Sequence, residues 1–186
     1  MIKMLIGLAF VGLELTLTTE TMSISLLPDF VGYILLLMGQ RELAHENDYF
    51  YKNIKFCLWA GTVSLMIFIM DLISGSLTVN FQALLLQMLL LVMEPICLFR
   101  IVRGVRQVGK DYDIDVKGKL LFIVWLVMTV LNVASFFFSG IPQLGNAFGL
   151  LLSICTFAFI ALFFNFKIVY DEIRPEPEEE EEEASY

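Results

Sequence analysis

Six apolar segments alternate with short polar stretches along the chain. They cover residues 2–18, 28–44, 56–74, 79–99, 120–138 and 144–166. A helix needs about 20 mostly apolar residues, with a range of about 17–25, to cross the hydrocarbon core of a bilayer. The pattern therefore predicts an all-α, polytopic membrane protein in which six transmembrane helices form three hairpins.

The second segment is short but has well-marked ends. In SLLPDFVGYILLLMGQREL, Pro28 suits the first position of a helix, and Asp29 favours the positive end of the helix dipole. Arg41 and Glu42 then mark the opposite membrane face. At about 1.5 Å per residue, a helix over 28–44 reaches roughly 25 Å, which predicts a thin but adequate crossing.

Composition agrees with a membrane protein. Of the 186 residues, 58% are hydrophobic and 17% are charged. Soluble domains typically have about 45–50% apolar residues and about 25% charged residues. The net charge of −8 comes from residues 171–186, which hold nine acids and one base. We expect a transmembrane domain over 1–170 and a disordered acidic cytoplasmic tail over 171–186, because like charges repel and the tail has no surface to bury.

Basic residues are segregated between the two sides of the predicted bundle. The outer turns over 18–27, 75–78 and 139–143 contain none. All twelve lie at the N-terminus, in the second-to-third and fourth-to-fifth connections or at the C-terminus: Lys3, Arg41, Lys52, Lys55, Arg100, Arg103, Arg106, Lys110, Lys117, Lys119, Lys167 and Arg174. The positive-inside rule then predicts that both termini are cytoplasmic.

The first segment has an alternative interpretation. MIKMLIGLAFVGL has the charged start and apolar middle of a signal peptide, but ELTLTTETMS contains no A-x-A-like cleavage site. We therefore expect the segment to remain as a helix.

The N-terminal quarter carries a resemblance. MLIGLAFVGLEL followed by LLPDFVGYILLLMGQREL is similar to the start of small multi-pass bacterial membrane proteins that have no assigned activity. The pattern is carried by Leu27, Pro28, Asp29, Phe30, Gly32 and Tyr33. The resemblance implies an inner-membrane location, and it transfers no functional residue.

Four acids lie within or at the ends of the segments: Glu14, Asp29, Asp71 and Glu94. A charge at the bilayer centre costs about 2.5–3.5 kcal/mol on insertion scales, so such acids are protonated, hydrated or cation-bound. They are candidates for a cation or proton site. Asp29 also has a structural explanation as a helix-start residue, and Asp71 lies close enough to a helix end to reach water.

Glu94 has an additional feature, because it precedes Pro95. Proline removes the helix hydrogen bond to the Leu91 carbonyl, which predicts a kink with a freed carbonyl beside a carboxylate. Such helix interruptions line cation sites in transporters. Snorkelling of Arg100 toward Glu94 is the competing interpretation.

Packing candidates lie in the last segment. Gly145, Gly149 and Ser153 recur every four residues and predict close approach of another helix, within the chain or in a second copy. Amides inside the segments, including Gln87 and Asn132, are expected to form interhelical hydrogen bonds.

The fourth-to-fifth connection begins as a basic helix extension. Arg100, Arg103 and Arg106 are expected to lie at lipid headgroups, with a specific lipid or nucleotide site as the alternative. The alternating Asp111, Asp113 and Asp115 are not a calcium loop, because Gly and Glu are missing from its sixth and twelfth positions.

The sequence contains no pattern typical of a metal site or of a catalytic site. The three cysteines have no metal-ligand spacing, and His45 is the only histidine. HExxH, GxSxG and intramembrane aspartyl protease patterns are also missing from the sequence. We expect no catalytic residue, no metal, no cofactor and no nucleic-acid partner.

Two functions remain. The favoured hypothesis is a non-catalytic membrane component that assembles with a membrane-protein partner or a second copy. The alternative is a small cation- or proton-coupled transporter or channel-like protein that uses the intramembrane carboxylates. Convergence of the four acids on one cavity would favour transport, and scattered positions would favour assembly.

Overall fold

The computed structural model describes residues 1–12, 16–18, 23–25, 28–74, 81–138 and 140–173. Within them the chain is helical apart from one small antiparallel pair of strands. In chain order the elements are α1 Ile2–Gly12, β1 Thr16–Thr18, β2 Ser23–Ser25, α2 Asp29–Leu43, α3 Asp48–Ser74, α4 Phe81–Asp111, α5 Gly118–Phe138 and α6 Pro142–Ile173. The predicted helical class is confirmed.

The helices form a ring of antiparallel neighbours. Each packs against the next in sequence, and α6 returns to contact α1. The start of α1, the α2–α3 and α4–α5 connections and the end of α6 lie together at what we call the basic end. Contacts across it include the Lys3–Glu42 ion pair at 2.6 Å and the hydrogen bonds of Tyr112 and Tyr170 to Glu46.

Four of the helices, α3 to α6, are long and apolar enough to cross a membrane. The first two are shorter. The helix predicted over 2–18 ends at Gly12, and Thr16–Thr18 is a strand, so this boundary was wrong. Thr16 and Thr18 of this strand are β-branched, and β-branched residues favour extended backbone over helix.

Three helices extend beyond their predicted ends on the basic side. α3 begins at Asp48, α4 continues to Asp111, and α6 continues to Ile173, while residues 174–186 of the predicted tail lie outside the described residues. Apolar length marks only the part of a helix that suits lipid, whereas capping groups set its ends. Asn47 caps α3: its Oδ1 accepts hydrogen bonds from the backbone N–H groups of Tyr49 and Phe50, at 3.1 and 3.3 Å.

The acidic stretch after α4 is a helix cap. Asp113 has a φ of 53°, and the N–H of Ile114 bonds to the Gly109 carbonyl at 2.9 Å. The N–H of Asp113 reaches the Lys110 carbonyl at 3.4 Å, which completes a Schellman motif. The residues that follow Asp111 therefore terminate α4.

The basic half of the ring is filled by a continuous apolar core. Its least exposed large side chains include Met4, Leu36, Phe50, Ile101 and Phe163. The half on the other side, toward the α3–α4 and α5–α6 connections, contains a cavity.

Candidate functional site

A cavity of about 770 Å³ lies between the helices, and all six contribute to its lining. The lining comes from the last residues of α1, the first residue of α2, the C-terminal halves of α3 and α5, and the N-terminal half of α6. Helix α4 contributes residues from Leu84 to Leu98. These parts lie away from the basic end. The cavity is therefore confined to one half of the bundle.

Two of the four predicted acids, Asp29 and Glu94, line this cavity, and both are half-buried. Asp29 is placed there because it begins α2, directly after Pro28. Glu94 projects from the middle of α4. Residues far apart in sequence therefore line the same cavity, because the ring brings the start of α2 level with the middle of α4.

Helix α4 continues through Pro95 without interruption, so the predicted kink does not break the helix. Proline still lacks the N–H that would bond to the carbonyl of Leu91. Leu91, Glu94 and Pro95 all line the cavity. The Pro95 carbonyl accepts a hydrogen bond from Trp125 Nε1 at 3.1 Å, which ties this turn of α4 to α5.

Neutral polar side chains complete the lining. Gln87, Asn132 and Ser135 contribute from α4 and α5, and Thr156 contributes from α6. Thr156 is 2% exposed, and within the described residues its hydroxyl has no hydrogen-bond partner. A buried hydroxyl without a partner beside a cavity indicates a position where a bound polar species would be stabilised.

The electrostatic character of the cavity is acidic. Among its described lining residues, Asp29 and Glu94 are acids and there is no Lys, Arg or His. The described parts of the chain also contain no group of three or more His, Cys, Asp or Glu side chains that could hold a metal ion. Carboxylates with amide and hydroxyl oxygens suit a proton or a hydrated or oxygen-coordinated cation.

The side chains of the other two acids, Glu14 and Asp71, are not among the described residues. Glu14 falls outside the described residues, and Asp71 lies on α3 with its side chain outside them. Of the four acids, Asp29 and Glu94 therefore line one cavity, and the question of whether all four converge stays open.

The small-residue stripe of α6 does not contact a neighbouring helix at its centre. A methyl group added at Gly149 meets nothing within 4 Å, and Ser153 is exposed, with its hydroxyl bonded to the Gly149 carbonyl at 3.0 Å. Gly145 is half-buried. Close glycine packing occurs instead between α1 and α2, where sequence spacing did not indicate it.

The three arginines after Pro95 lie on aromatic rings. Their guanidinium carbons are 3.9, 4.8 and 5.7 Å from ring centroids, in the pairs Arg100–Phe56, Arg103–Phe99 and Arg106–Phe122. Arg100 also donates to the Lys52 carbonyl at 3.1 Å, so it points toward the basic end. These contacts are compatible with the predicted headgroup position, which stays a prediction.

A cluster that the sequence analysis missed closes the basic end. Glu46, in the α2–α3 connection, accepts hydrogen bonds from the hydroxyls of Tyr112 at 3.0 Å and Tyr170 at 2.6 Å. Its side chain is 5% exposed, and His45 Nε2 lies 3.0 Å from it. The cluster joins the ends of α4 and α6 to the α2–α3 connection.

Comparison with known proteins finds no matching family and no curated protein or solved structure with significant similarity. The resemblance of the N-terminal quarter stays a prediction.

Proposed function

We propose that this chain is a small membrane transport protein that binds a cation or a proton in its central cavity. The observation that carries the proposal is the presence of Asp29 and Glu94 in one lining. Their convergence favours transport over the assembly role, because dispersed acids would be explained by solvation at helix ends.

We further propose six crossings, with both termini in the cytoplasm of a bacterial cell whose inner membrane holds the protein. The segregation of basic residues at one end of the ring supports this orientation. Helices α1 and α2, of 11 and 15 residues, are shorter than a typical crossing. Their tight mutual packing and the Lys3–Glu42 pair support their place in the bundle as a hairpin.

In this orientation the cavity belongs to the outer half of the bundle, and the apolar core with the Glu46 cluster closes the cytoplasmic half. The two carboxylates attract cations and repel anions, and this Coulomb interaction is stronger at a partly buried site than in bulk water. A solute entering from outside would meet Asp29 and Glu94 before the closed half. Transport then requires the cytoplasmic half to open.

Flux through reconstituted vesicles tests the proposal. The full chain is incorporated into liposomes, and sodium, potassium and proton movement are followed separately with ion-selective dyes. We expect cation flux from the native chain and at least a tenfold loss in Glu94→Gln and Asp29→Asn, corresponding to about 1.4 kcal/mol or more of lost binding.

The matched control is Glu172→Gln, which makes the same substitution at an exposed residue near the end of α6. We expect it to preserve the native flux. Absence of flux for all three cations, or equal flux in Glu94→Gln and Glu172→Gln, would contradict the transport proposal.

A second function is favoured by one observation. Around the half-buried Gly149 and the exposed Ser153, the surface of α6 leaves room for another helix, as in a component that assembles with a partner. This function predicts that Gly149→Leu releases a co-purifying membrane protein or a second copy. A solitary monomer of the native chain in mild detergent would contradict it.

A further inference from the structure

Two buried cysteines on neighbouring helices face each other outside the cavity. Cys57 of α3 and Cys97 of α4 are each 1% exposed, and their Sγ atoms are 2.6 Å apart. Non-bonded carbon atoms pack at about 3.5–4.0 Å, whereas the sulfur atoms of a disulfide are about 2.05 Å apart. The two thiols therefore lie within a small displacement of a covalent bond.

Two amide side chains surround the pair and donate toward the sulfur atoms. Gln40 Nε2 lies 3.0 Å from Cys57 Sγ, and Asn53 Nδ2 lies 3.5 Å from Cys97 Sγ and 2.9 Å from the Cys97 carbonyl oxygen. Both amides are fully buried, and among the described residues their oxygens Gln40 Oε1 and Asn53 Oδ1 have no partner. The sulfur atoms of a disulfide accept hydrogen bonds, so the two amide donors can remain in place when the pair is oxidised.

The depth of the pair limits what can react with it. Lys55 and Arg100 lie two and three residues away along the helices, so the pair is just inside the apolar region near the basic end. Its burial keeps out bulky water-soluble thiols and disulfides. Because both cysteines are 1% exposed, any oxidant must reach them through a local opening of the helices, and a lipid-soluble quinone is the class of oxidant that concentrates in the surrounding apolar region.

We propose that Cys57 and Cys97 are a redox-modification site that forms a reversible disulfide between α3 and α4, with a lipid-soluble quinone as oxidant. Each thiol loses its hydrogen, the Sγ–Sγ bond forms, and the quinone takes up two electrons and two protons to become a hydroquinone. A dithiol reductant reverses the reaction. The site is independent of the transport proposal, although Glu94 lies one helical turn from Cys97 on the same helix.

Alkylation of the full chain in liposomes tests the site. The fully reduced protein is exposed to a short-chain benzoquinone whose ring carbons are all substituted, so that it does not add to thiols. The protein is then denatured and treated with N-ethylmaleimide, and the labelled cysteines are identified by mass spectrometry. We expect label on Cys155 alone and a cross-linked peptide pair containing Cys57 and Cys97. Dithiothreitol before alkylation should restore label on both.

Three controls make the outcome decisive. Cys155, which lies on α6 and is half-buried, serves as an internal standard in the same molecule. Cys57→Ser should leave both remaining cysteines fully labelled, and glutathione disulfide in place of the quinone should leave all three labelled. Full labelling of native Cys57 and Cys97 after quinone, or equal oxidation by glutathione disulfide, would overturn the proposal; the native chain alone decides this if the variant does not fold.

Discussion

At the scale of single residues, glycine sets how closely the first two helices approach. A methyl group added at Gly7 of α1 would lie 2.7 Å from the Gly32 carbonyl oxygen and 2.7 Å from the Leu36 backbone nitrogen. Backbone atoms cannot give way as a flexible side chain can, so α1 and α2 would have to separate. The same α1–α2 hairpin places Asp29 at the cavity.

Substitution of Gly7 tests this close approach. Gly7→Ala should destabilise the protein by about 1–3 kcal/mol, the usual range for overpacking. The measurement is the thermal unfolding midpoint in mild detergent.

Gly149→Ala is the matched control, because its added methyl group meets open space. Alanine exceeds glycine in helix propensity by about 0.8–1.0 kcal/mol, so this variant should unfold at the native midpoint or above it. Equal destabilisation by both substitutions would show that α1 and α2 do not pack through Gly7.

At the scale of elements, caps and cross-links determine where the long helices begin and end. Asn47 starts α3 with its Oδ1 and also donates from Nδ2 to the Gly104 carbonyl at 3.1 Å. One side chain therefore sets the first turn of α3 and fastens it to α4. The early start of α3 follows from this cap.

Two substitutions separate these roles of Asn47. Asn47→Ala should cost about 0.5–2 kcal/mol for the lost cap, with the lost bond to Gly104 in addition. Asn47→Asp keeps the acceptor and loses the donor, so we expect a smaller loss of stability, measured by denaturant or thermal unfolding. If Asn47→Asp is as destabilising as Asn47→Ala, the cap does not stabilise α3.

At the scale of the whole molecule, one end of the ring is closed and the other half contains the cavity. The closed end combines an apolar core with a nearly buried carboxylate, Glu46, that holds two tyrosines. Under the transport proposal, opening of this end would have to separate these groups.

Removal of the Tyr170 hydroxyl tests whether the Glu46 cluster holds the basic end together. Tyr170→Phe should destabilise the closed state by about 1.5–3 kcal/mol, the range for hydrogen bonds to charged groups. Amide hydrogen exchange should rise in the last turns of α6. Tyr51→Phe, at a tyrosine 61% exposed, provides the control; equal exchange in the two variants would rule out a closing role for Tyr170.

Topology is tested on the whole chain with paired reporters, one active only in the cytoplasm and one active only outside it. Fusions in the α2–α3 and α4–α5 connections and at both termini should give cytoplasmic activity, because the basic residues gather there. Fusions in the α5–α6 connection should give the opposite result. Termini on opposite sides would contradict the proposed six crossings.

Much of the helical architecture followed from the sequence alone. Apolar length located α3 to α6, and Pro28 with Asp29 located the start of α2, because both signals are local. The errors occurred at helix ends, at Gly12, Asp48, Asp111 and Ile173. The threonines of β1 explain the first, the Asn47 cap explains the second, and the cap at Asp113 sets the third. The segregation of basic residues to one end of the bundle could also be predicted from the sequence, since it depends only on which connections contain Lys and Arg.

The tertiary structure alone decided which residues meet. Helices that are apolar on every side show no hydrophobic stripe, so their sequence does not distinguish the side facing lipid from the side facing a neighbour. Asp29 and Glu94 could be named as acids in apolar segments, but only the ring places them in one cavity. The Cys57–Cys97 pair and the Glu46 cluster depend in the same way on side chains that meet across helices.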